Sequence, residues 1–298
     1  MDIEVLRNYA EIIESGSITA AAKKLYTAQA TLSMQLKSLE KELGTVLLIR
    51  TAHRLELTEA GRMLYRRAKS ISAIDSQIKS DIKELEKGGE GTVRIGISSE
   101  EWISVCGDIL SDFARIYPKM RFEIYEKPDH EILAMTEDGS VTAAFVRTPC
   151  TISADMEALF FESEPMAAVY SPEHFSMGGE TSGIAVLTGK RLAVRRKYSQ
   201  LLEDVFAEKM KKSPKKYEAP VIAVAAESVC TVLSAAERGM AVGILPLSAA
   251  GQGRNTAVKV IDEPMFYTQR IIVSKKSSYA SSAERKFLEY AAAQLRDV

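Results

Sequence analysis

Residues 17–43 read SITAAAKKLYTAQATLSMQLKSLEKEL. Small side chains at Ala20, Ala21 and Ala22 let a first helix, ending near Leu25, cross another at close range. Tyr26-Thr27-Ala28 makes a short turn, and a second helix is expected from about Gln29 to Leu43. Leu32, Leu36, Leu39 and Leu43 step by four, three and four along it, which paints one inward apolar stripe. The opposite face carries Gln29, Thr31, Ser33, Met34, Gln35, Lys37 and Ser38. Such a pair can be an ordinary helical hairpin with a solvated face, or a helix-turn-helix whose second helix enters the DNA major groove. The face holds Gln and Ser more than Glu, so it is not a salt-bridged surface. It is equipped to hydrogen-bond base edges and phosphates.

The flanks favour the second reading. Gly44 supplies a helix stop. Two short strands are expected beyond it, Thr45 to Arg50 and Leu55 to Thr58, around the basic tip Thr51-Ala52-His53-Arg54. A basic hairpin in this place is a wing that can lie along a DNA backbone. Residues 18–70 hold 10 Lys plus Arg against 4 Asp plus Glu, a balance of +6, whereas the whole chain stands at -1. Positive charge is therefore local, the footprint of one nucleic-acid-binding module. Gln29, Thr31, Ser33, Met34 and Gln35 are the candidates for base contacts. Ser17, Thr19, Lys37, Arg50, His53 and Arg54 are the candidates for phosphates or the minor groove, although His53 also fits a solvated loop.

The remaining composition excludes several classes. No apolar run approaches the roughly 18 residues that span a bilayer. Met1-Asp2-Ile3-Glu4 is acidic and starts a helix rather than a secretion signal. Cys106, Cys150 and Cys230 are odd in number and widely spaced, which indicates reduced thiols in a cytoplasm, each most simply a small core residue. The three His (His53, His130 and His174) form no cluster with Cys, so neither a metal nor a cofactor is expected. Gly88-Gly89-Glu90-Gly91 and Gly251-Gln252-Gly253 lack the spacing and setting of a phosphate loop. His130-Glu131 begins like a zinc-protease motif, but Ala134 stands where the second His belongs. Ser-x-x-Lys at Ser38 and Ser76 has no partner motifs. Catalysis is therefore not expected.

From Thr58, an N-cap, a long helix is expected to end at Lys87-Gly88-Gly89, spanning roughly 45 Å at 1.5 Å per residue. Leu64, Ala68, Ile71, Asp75, Ile78, Ile82 and Leu85 alternate steps of four and three, a coiled-coil seam. Asp75 interrupts it, with Ile74 alongside to shift the contact. The alternative is an amphipathic helix packed on its own domain. Beyond Gly91 strands and helices alternate. Strands are expected at 92–98, 121–126, 141–147, 165–170, 191–195, 221–225, 240–245 and 269–274, with intervening helices that include 102–117, 129–137, 199–212, 227–238 and 282–296. Such alternation implies parallel sheets covered on both faces.

Residues 1 to about 70 resemble the N-terminal domain of LysR-type transcriptional regulators. The resemblance rests on Leu6, Ser17, Ala21-Ala22, Leu25, Gln29, Ser33, Leu39-Glu40, Leu43-Gly44, Leu47, Arg50 and Leu57-Thr58-Glu59-Ala60-Gly61, each at the family's spacing. Ala30 stands where proline is usual, Leu48 where phenylalanine is usual and Met34 where arginine is common. Ala235 to Pro246 (AAERGMAVGILP) matches a landmark of the family's effector domain. Glu137 to Ala144 matches less well, with Thr142 in place of an aspartate at what would be the pocket edge.

The resemblance covers essentially the whole chain and implies an α+β multidomain protein: a winged helix-turn-helix (1–58), a dimerising coiled-coil linker helix (59–89) and a two-lobed α/β effector domain of periplasmic-binding-protein type (90–298). Lobe I is placed at about 92–161 and 268–298 and lobe II at about 167–264. The partners implied are double-stranded DNA at an inverted repeat, further copies of the chain as dimer or tetramer, a small-molecule effector and, at promoters, RNA polymerase. A solute-binding protein would share the lobes but leave residues 1–61 unexplained. A regulator whose lobes only oligomerise is the remaining alternative.

Ligands in doubly wound sheets bind beyond the carboxyl ends of the strands. That places Ser98, Ser99, Lys127, Arg147, Arg195, Arg196, Tyr198 and Glu227 around an effector. Hydroxyls at a helix start and bidentate arginines favour a small organic anion. For each there is a plainer role: Ser99 can cap its helix, and the arginines can pair with acids.

Overall fold

The computed structural model describes residues 1–50, 55–86, 91–98, 101–177, 183–276 and 281–294. Its N-terminal unit packs α1 (Ile3–Glu14), α2 (Ile18–Lys24) and α3 (Gln29–Leu43) against the hairpin β1 (Leu48–Arg50) and β2 (Leu55–Leu57). Tyr9, Ile12, Ala21, Ala22, Leu32, Leu36, Leu39 and Leu47 form the core between them. Each of these larger apolar side chains contributes roughly 1.5–3 kcal/mol by leaving water. The stripe of leucines on α3 therefore faces inward as its spacing requires, except that Leu43 is 42% exposed.

Both ends of α2 are tied, one by a side-chain cap and the other by backbone bonds. Ser17 Oγ accepts from the Ala20 N–H at 3.1 Å and caps α2. At the far end Thr27 N–H reaches Ala22 O at 3.0 Å and Tyr26 N–H reaches Lys23 O at 3.3 Å. That pattern needs a left-handed residue, and Tyr26 supplies it at φ 51° where glycine is the usual choice. Gly44 does the same for α3 at φ 65°. The first wing strand is shorter than the expected Thr45 to Arg50. The Leu47 and Leu48 N–H groups donate to Glu40 Oε1 at 2.8 and 3.3 Å, so the segment before Leu48 is held on α3 rather than in the hairpin.

A single long helix, α4 (Glu59–Glu86), follows. Thr58 Oγ1 accepts from Gly61 N–H at 2.9 Å at its start. Gly61 is required there, because a Cβ would lie 2.1 Å from Leu47 O. The first half of α4 rests on α1 through Arg7–Asp75 and Lys69–Glu14 ion pairs, the latter 2.8 Å long. Asp75 thus belongs to the face turned toward α1 and does not break a seam. The outward stripe runs instead through Ile74, Ile78 and Ile82, exposed by 38, 53 and 54%.

The rest of the chain builds one continuous sheet in two halves. Its strands are β3 (Thr92–Ile97), β4 (Arg121–Glu126), β5 (Ala143–Arg147), β6 (Met156–Tyr170), β7 (Arg191–Arg195), β8 (Val221–Ala226), β9 (Val242–Pro246), β10 (Ala257–Val260) and β11 (Tyr267–Lys275). Their order is β4-β3-β5-β11-β6-β9-β7-β8, with β10 paired to β6. The helices are α5 (Glu101–Ile116), α6 (Asp129–Asp138), α7 (Arg196–Lys212), α8 (Val229–Glu237), α9 (Leu247–Ala250) and α10 (Ser282–Gln294). In lobe I, β3 runs parallel to β4 and β5. In lobe II, β7 runs parallel to β8 and β9. The all-parallel expectation fails between them: β6 and β11 are antiparallel and cross from lobe to lobe. Residues 156–164 of β6 read as non-strand in the sequence because Glu157, Glu162 and Glu164 interrupt the apolar pattern. Arg270 neutralises Glu162 and Arg147 neutralises Glu164, which lets the acids sit in a sheet.

Three further expectations are corrected. Thr142 is not at a pocket edge. It precedes β5 at the end remote from the strand's carboxyl terminus, where its hydroxyl donates to Glu284 Oε1 at 2.8 Å. Glu284 also accepts from Gln77 Nε2 of α4 at 3.2 Å, so this corner joins the long helix to lobe I. Cys230 is exposed and Cys150 half-buried, so neither is the simple core residue expected. Finally, α4 packs on its own chain at both ends and still leaves an apolar stripe, so the two readings of its pattern are compatible.

Candidate functional site

Two places gather the candidate residues. On the outer face of α3, Gln29, Thr31, Met34 and Lys37 are exposed and Ser33 is half-buried. Met34 is 71% exposed, which no core packing explains. Gln35 lies nearer α1, and its Oε1 accepts from Asn8 Nδ2 at 2.9 Å, so part of its hydrogen-bonding capacity is already used. Ser17 and Thr19 are exposed at the start of α2. Arg50 ends β1 beside the wing tip, and His53 and Arg54 lie outside the described residues. Lys24 is paired to Glu11 at 2.8 Å, and that hydrogen bond raises its pKa. Lys23, Lys37 and Lys41 have no ion-pair partner among the described residues.

Two exposed neighbours were not among the candidates. Tyr26 is 98% exposed on the turn immediately before α3. Lys41 stands one turn beyond Lys37 on the same face. The signal for Tyr26 was its own position: an aromatic residue in a turn that favours glycine.

The second place is a cleft of about 950 Å³ between the lobes. Volumes of this order suit small-molecule ligands. Ser98 and Lys127 line it from lobe I, and Arg195, Arg196 and Glu227 line it from lobe II. Ser99 lies outside the described residues. Arg147 and Tyr198 do not belong to it. Arg147 is fully buried, ion-paired with Glu164 and 3.3 Å from Ser248 Oγ of α9. It braces the crossing between lobes. Tyr198 is fully buried in the lobe II core with Phe206 and Leu202. The cleft lies at the strand ends, but successive side chains of a strand point to opposite faces and those of a helix are turned by about 100°, which carries Arg147 and Tyr198 away from it.

Within the cleft nearly every cation is already matched. Arg196 meets Glu227 at 2.9 Å at the exposed rim, and Arg195 Nε donates to Glu227 O at 2.9 Å. Lys127 holds Glu131 at 2.8 Å, and the hydrogen bond keeps that carboxyl below its usual pKa. Lys197, at the start of α7, donates to Asp129 Oδ2 at 2.8 Å and to Arg147 O at 2.8 Å. Asp129 opens α6, so this pair spans the cleft from one lobe to the other. Lys197 lies in the stretch 195–199 beyond a strand end, where the sequence points to a ligand, but Asp129 does not, and their pairing arises only when two helix starts meet. Cys150 lies against this pair; burial first, and then Asp129, pushes its thiol pKa up. Ser98 Oγ, Asp129 Oδ1 and Ser153 Oγ are buried in the cleft wall without a hydrogen-bond partner among the described residues. No group of metal-ligating side chains occurs among the described residues. Among them, too, no helix is long and apolar enough to cross a membrane.

A three-helix head with an outward polar helix, joined to a two-lobed ligand cleft, defines a ligand-responsive DNA-binding regulator. Sequence comparison gives the same class. Residues 3–62 match the bacterial regulatory helix-turn-helix protein, lysR family, and residues 86–296 match the LysR substrate binding domain. The chain belongs to the LysR family of transcriptional regulators; it is not an enzyme. It is 27% identical to the HTH-type transcriptional regulator BsdA of Bacillus subtilis (strain 168), over 97% of this chain and 99% of that protein. It is 30% identical to the HTH-type transcriptional regulator BudR of Raoultella terrigena, over 63% of this chain and 65% of BudR. CbnR, a LysR family transcriptional regulator of known crystal structure, shares the fold with a TM-score of 0.68 at 20% identity, over 99% of each chain. Full-length CbnR complexed with its target DNA gives a TM-score of 0.66 at 20% identity, over 98% of this chain and 99% of that one.

Proposed function

We propose that this regulator reads an inverted-repeat operator with the outer face of α3 and responds to a small molecule with an anionic group bound between its lobes. The observation that carries the reading is the face itself: polar side chains and Met34 point to solvent beside lysines that have no ion-pair partner among the described residues. Gln29, Thr31, Ser33, Met34 and the remaining capacity of Gln35 serve base edges, Met34 through a thymine methyl. Ser17, Thr19, Lys37, Arg50, His53 and Arg54 serve phosphates or the minor groove, and Tyr26 joins them from the turn.

The division into a head (1–58), a linker (59–89) and an effector domain (90–298) follows from this reading. The exposed Ile74, Ile78 and Ile82 suit pairing with a second copy, which holds two heads roughly 34 Å or a multiple apart on DNA. Dimer and tetramer are both compatible with it, as are a cytoplasmic location and contact with RNA polymerase. In the cleft, α6 and α7 begin at N-cap residues that make no side-chain cap, and their positive dipole ends favour an anion beside Ser98, Lys127, Arg195, Arg196 and Glu227. Such a ligand regulates only if it prefers one lobe geometry over another.

Equilibrium DNA binding of two variants tests the head. Gln29→Ala is expected to cost about 1–3 kcal/mol and relax sequence preference. Arg54→Ala is expected to weaken all sequences alike and lower the salt slope by about one. An unchanged slope contradicts the wing assignment.

A further inference from the structure

We infer that the cleft is built for a zwitterion, a small molecule bearing both a carboxylate and an ammonium group, and that such a ligand takes the place of the Lys197–Asp129 ion pair. The inference rests on the reading of the cleft as the effector site and narrows the ligand's chemistry.

The charges of the wall carry it. Lys127, Arg195, Arg196 and Lys197 face Glu126, Asp129, Glu137 and Glu227, four cations against four carboxylates. A lone anion entering such a wall gains no net field. An anion that takes the carboxylate's place at Lys197 displaces Asp129, whose side chain is 21% exposed. That leaves a largely desolvated carboxylate without its counter-charge, which is costly. A lone cation at Asp129 leaves Lys197, 15% exposed, without this counter-charge and with the Arg147 carbonyl as a neutral acceptor. A zwitterion satisfies both at once.

The unpartnered atoms agree in kind. Asp129 Oδ1 is a buried acceptor with no donor among the described residues, and an ammonium brings three N–H groups. Ser98 Oγ is buried without a hydrogen-bond partner among the described residues, and its hydroxyl suits a carboxylate. Glu126 and Glu137, which have no hydrogen-bond or ion-pair partner among the described residues, add negative potential on the lobe I wall where the ammonium is placed. The bridge also ties the start of α6 to the start of α7. Replacing one direct ion pair by two pairs through a ligand alters the separation of the lobes, which is the lever a regulator needs.

Thermal unfolding of the full-length protein with three matched sets of compounds tests this. The sets are the common α-amino acids together with aminobenzoates, the same skeletons without the amino group, and the same skeletons without the carboxylate. Compounds that raise the melting temperature are then titrated calorimetrically into the wild type, Lys197→Gln and Asp129→Asn. Both variants are expected to fold, and the exchanged pair Lys197→Asp with Asp129→Lys keeps the bridge as a control. The expected result is stabilisation by a zwitterion, with both truncated analogues bound about tenfold or more weakly. Asp129→Asn is expected to abolish the preference for the ammonium, and Lys197→Gln the preference for the carboxylate. Equal binding of a carboxylate and its amino counterpart, unaffected by Asp129→Asn, overturns the zwitterion and leaves the effector cleft standing. No stabilisation by any set, or binding indifferent to both variants, overturns the inference and the cleft together.

Discussion

On α3, Lys37 and Lys41 stand in solvent with no ion-pair partner among the described residues, whereas in the cleft Lys197, Arg196 and Lys127 each hold a carboxylate within 2.9 Å. The first surface carries one sign of charge and waits for a partner of the opposite sign. The second carries its own counter-charges and can recognise only a partner that reproduces their pattern. DNA is a uniform polyanion, so an unneutralised face gains affinity from every phosphate. An effector must instead be told apart from other small metabolites, and a balanced wall rejects whatever leaves one of its charges stranded.

This contrast predicts where a removed charge is felt. The largest effect is expected at the lobe crossing. Arg147→Ala leaves Glu164 with only the more distant Arg270, at 3.8 Å, and the hydrogen bonds from Ser248, and should destabilise the effector domain by about 3 kcal/mol, seen as a lower urea midpoint. Lys37→Ala should leave that midpoint in place and lower the salt slope of DNA binding by about one. Equal stability losses from the two would break the distinction.

Tyr26 sharpens it within the head. Left-handed backbone costs a non-glycine residue roughly 1–2 kcal/mol. Tyr26→Gly should therefore raise head stability by up to about 1 kcal/mol while weakening DNA binding. A variant both more stable and equally tight would remove Tyr26 from the interface.

The smallest effect expected is at Asp138. Burial pushes its pKa up, against hydrogen bonds from Ser140, so its ionised form is disfavoured in the folded state. The sign follows: this carboxyl favours folding most below its unfolded pKa, and the benefit is lost as pH rises through the folded value. Asp138→Asn should raise the melting temperature at neutral pH, with the gain fading in acid below the ordinary carboxylate range. A gain that persists in acid would assign the effect to something other than charge.

Much of the head was legible because its constraints are local. The α3 bounds follow from a leucine stripe and Gly44, and Gly61 from the landmark that ends the wing. Where long-range bonds decide, the reading failed. The first wing strand was overextended because Glu40, on α3, captures the Leu47 and Leu48 amides. The strand at 156–164 was hidden by glutamates whose arginine partners lie elsewhere in the chain. Arg147 has the composition of a ligand contact and the burial of a brace, and only its pairing with Glu164 separates the two roles. Lys197 and Asp129, 68 positions apart, carry no local sign that they meet.

The most direct test of the central claim is selection of bound duplexes from a random DNA library by the full-length protein at two salt concentrations, repeated with Gln29→Ala. The account predicts an inverted repeat recovered by the wild type, binding that weakens steeply with salt, and a relaxed preference in the variant at the position Gln29 reads. No preferred sequence at either salt, or the same preference in both proteins, would contradict it.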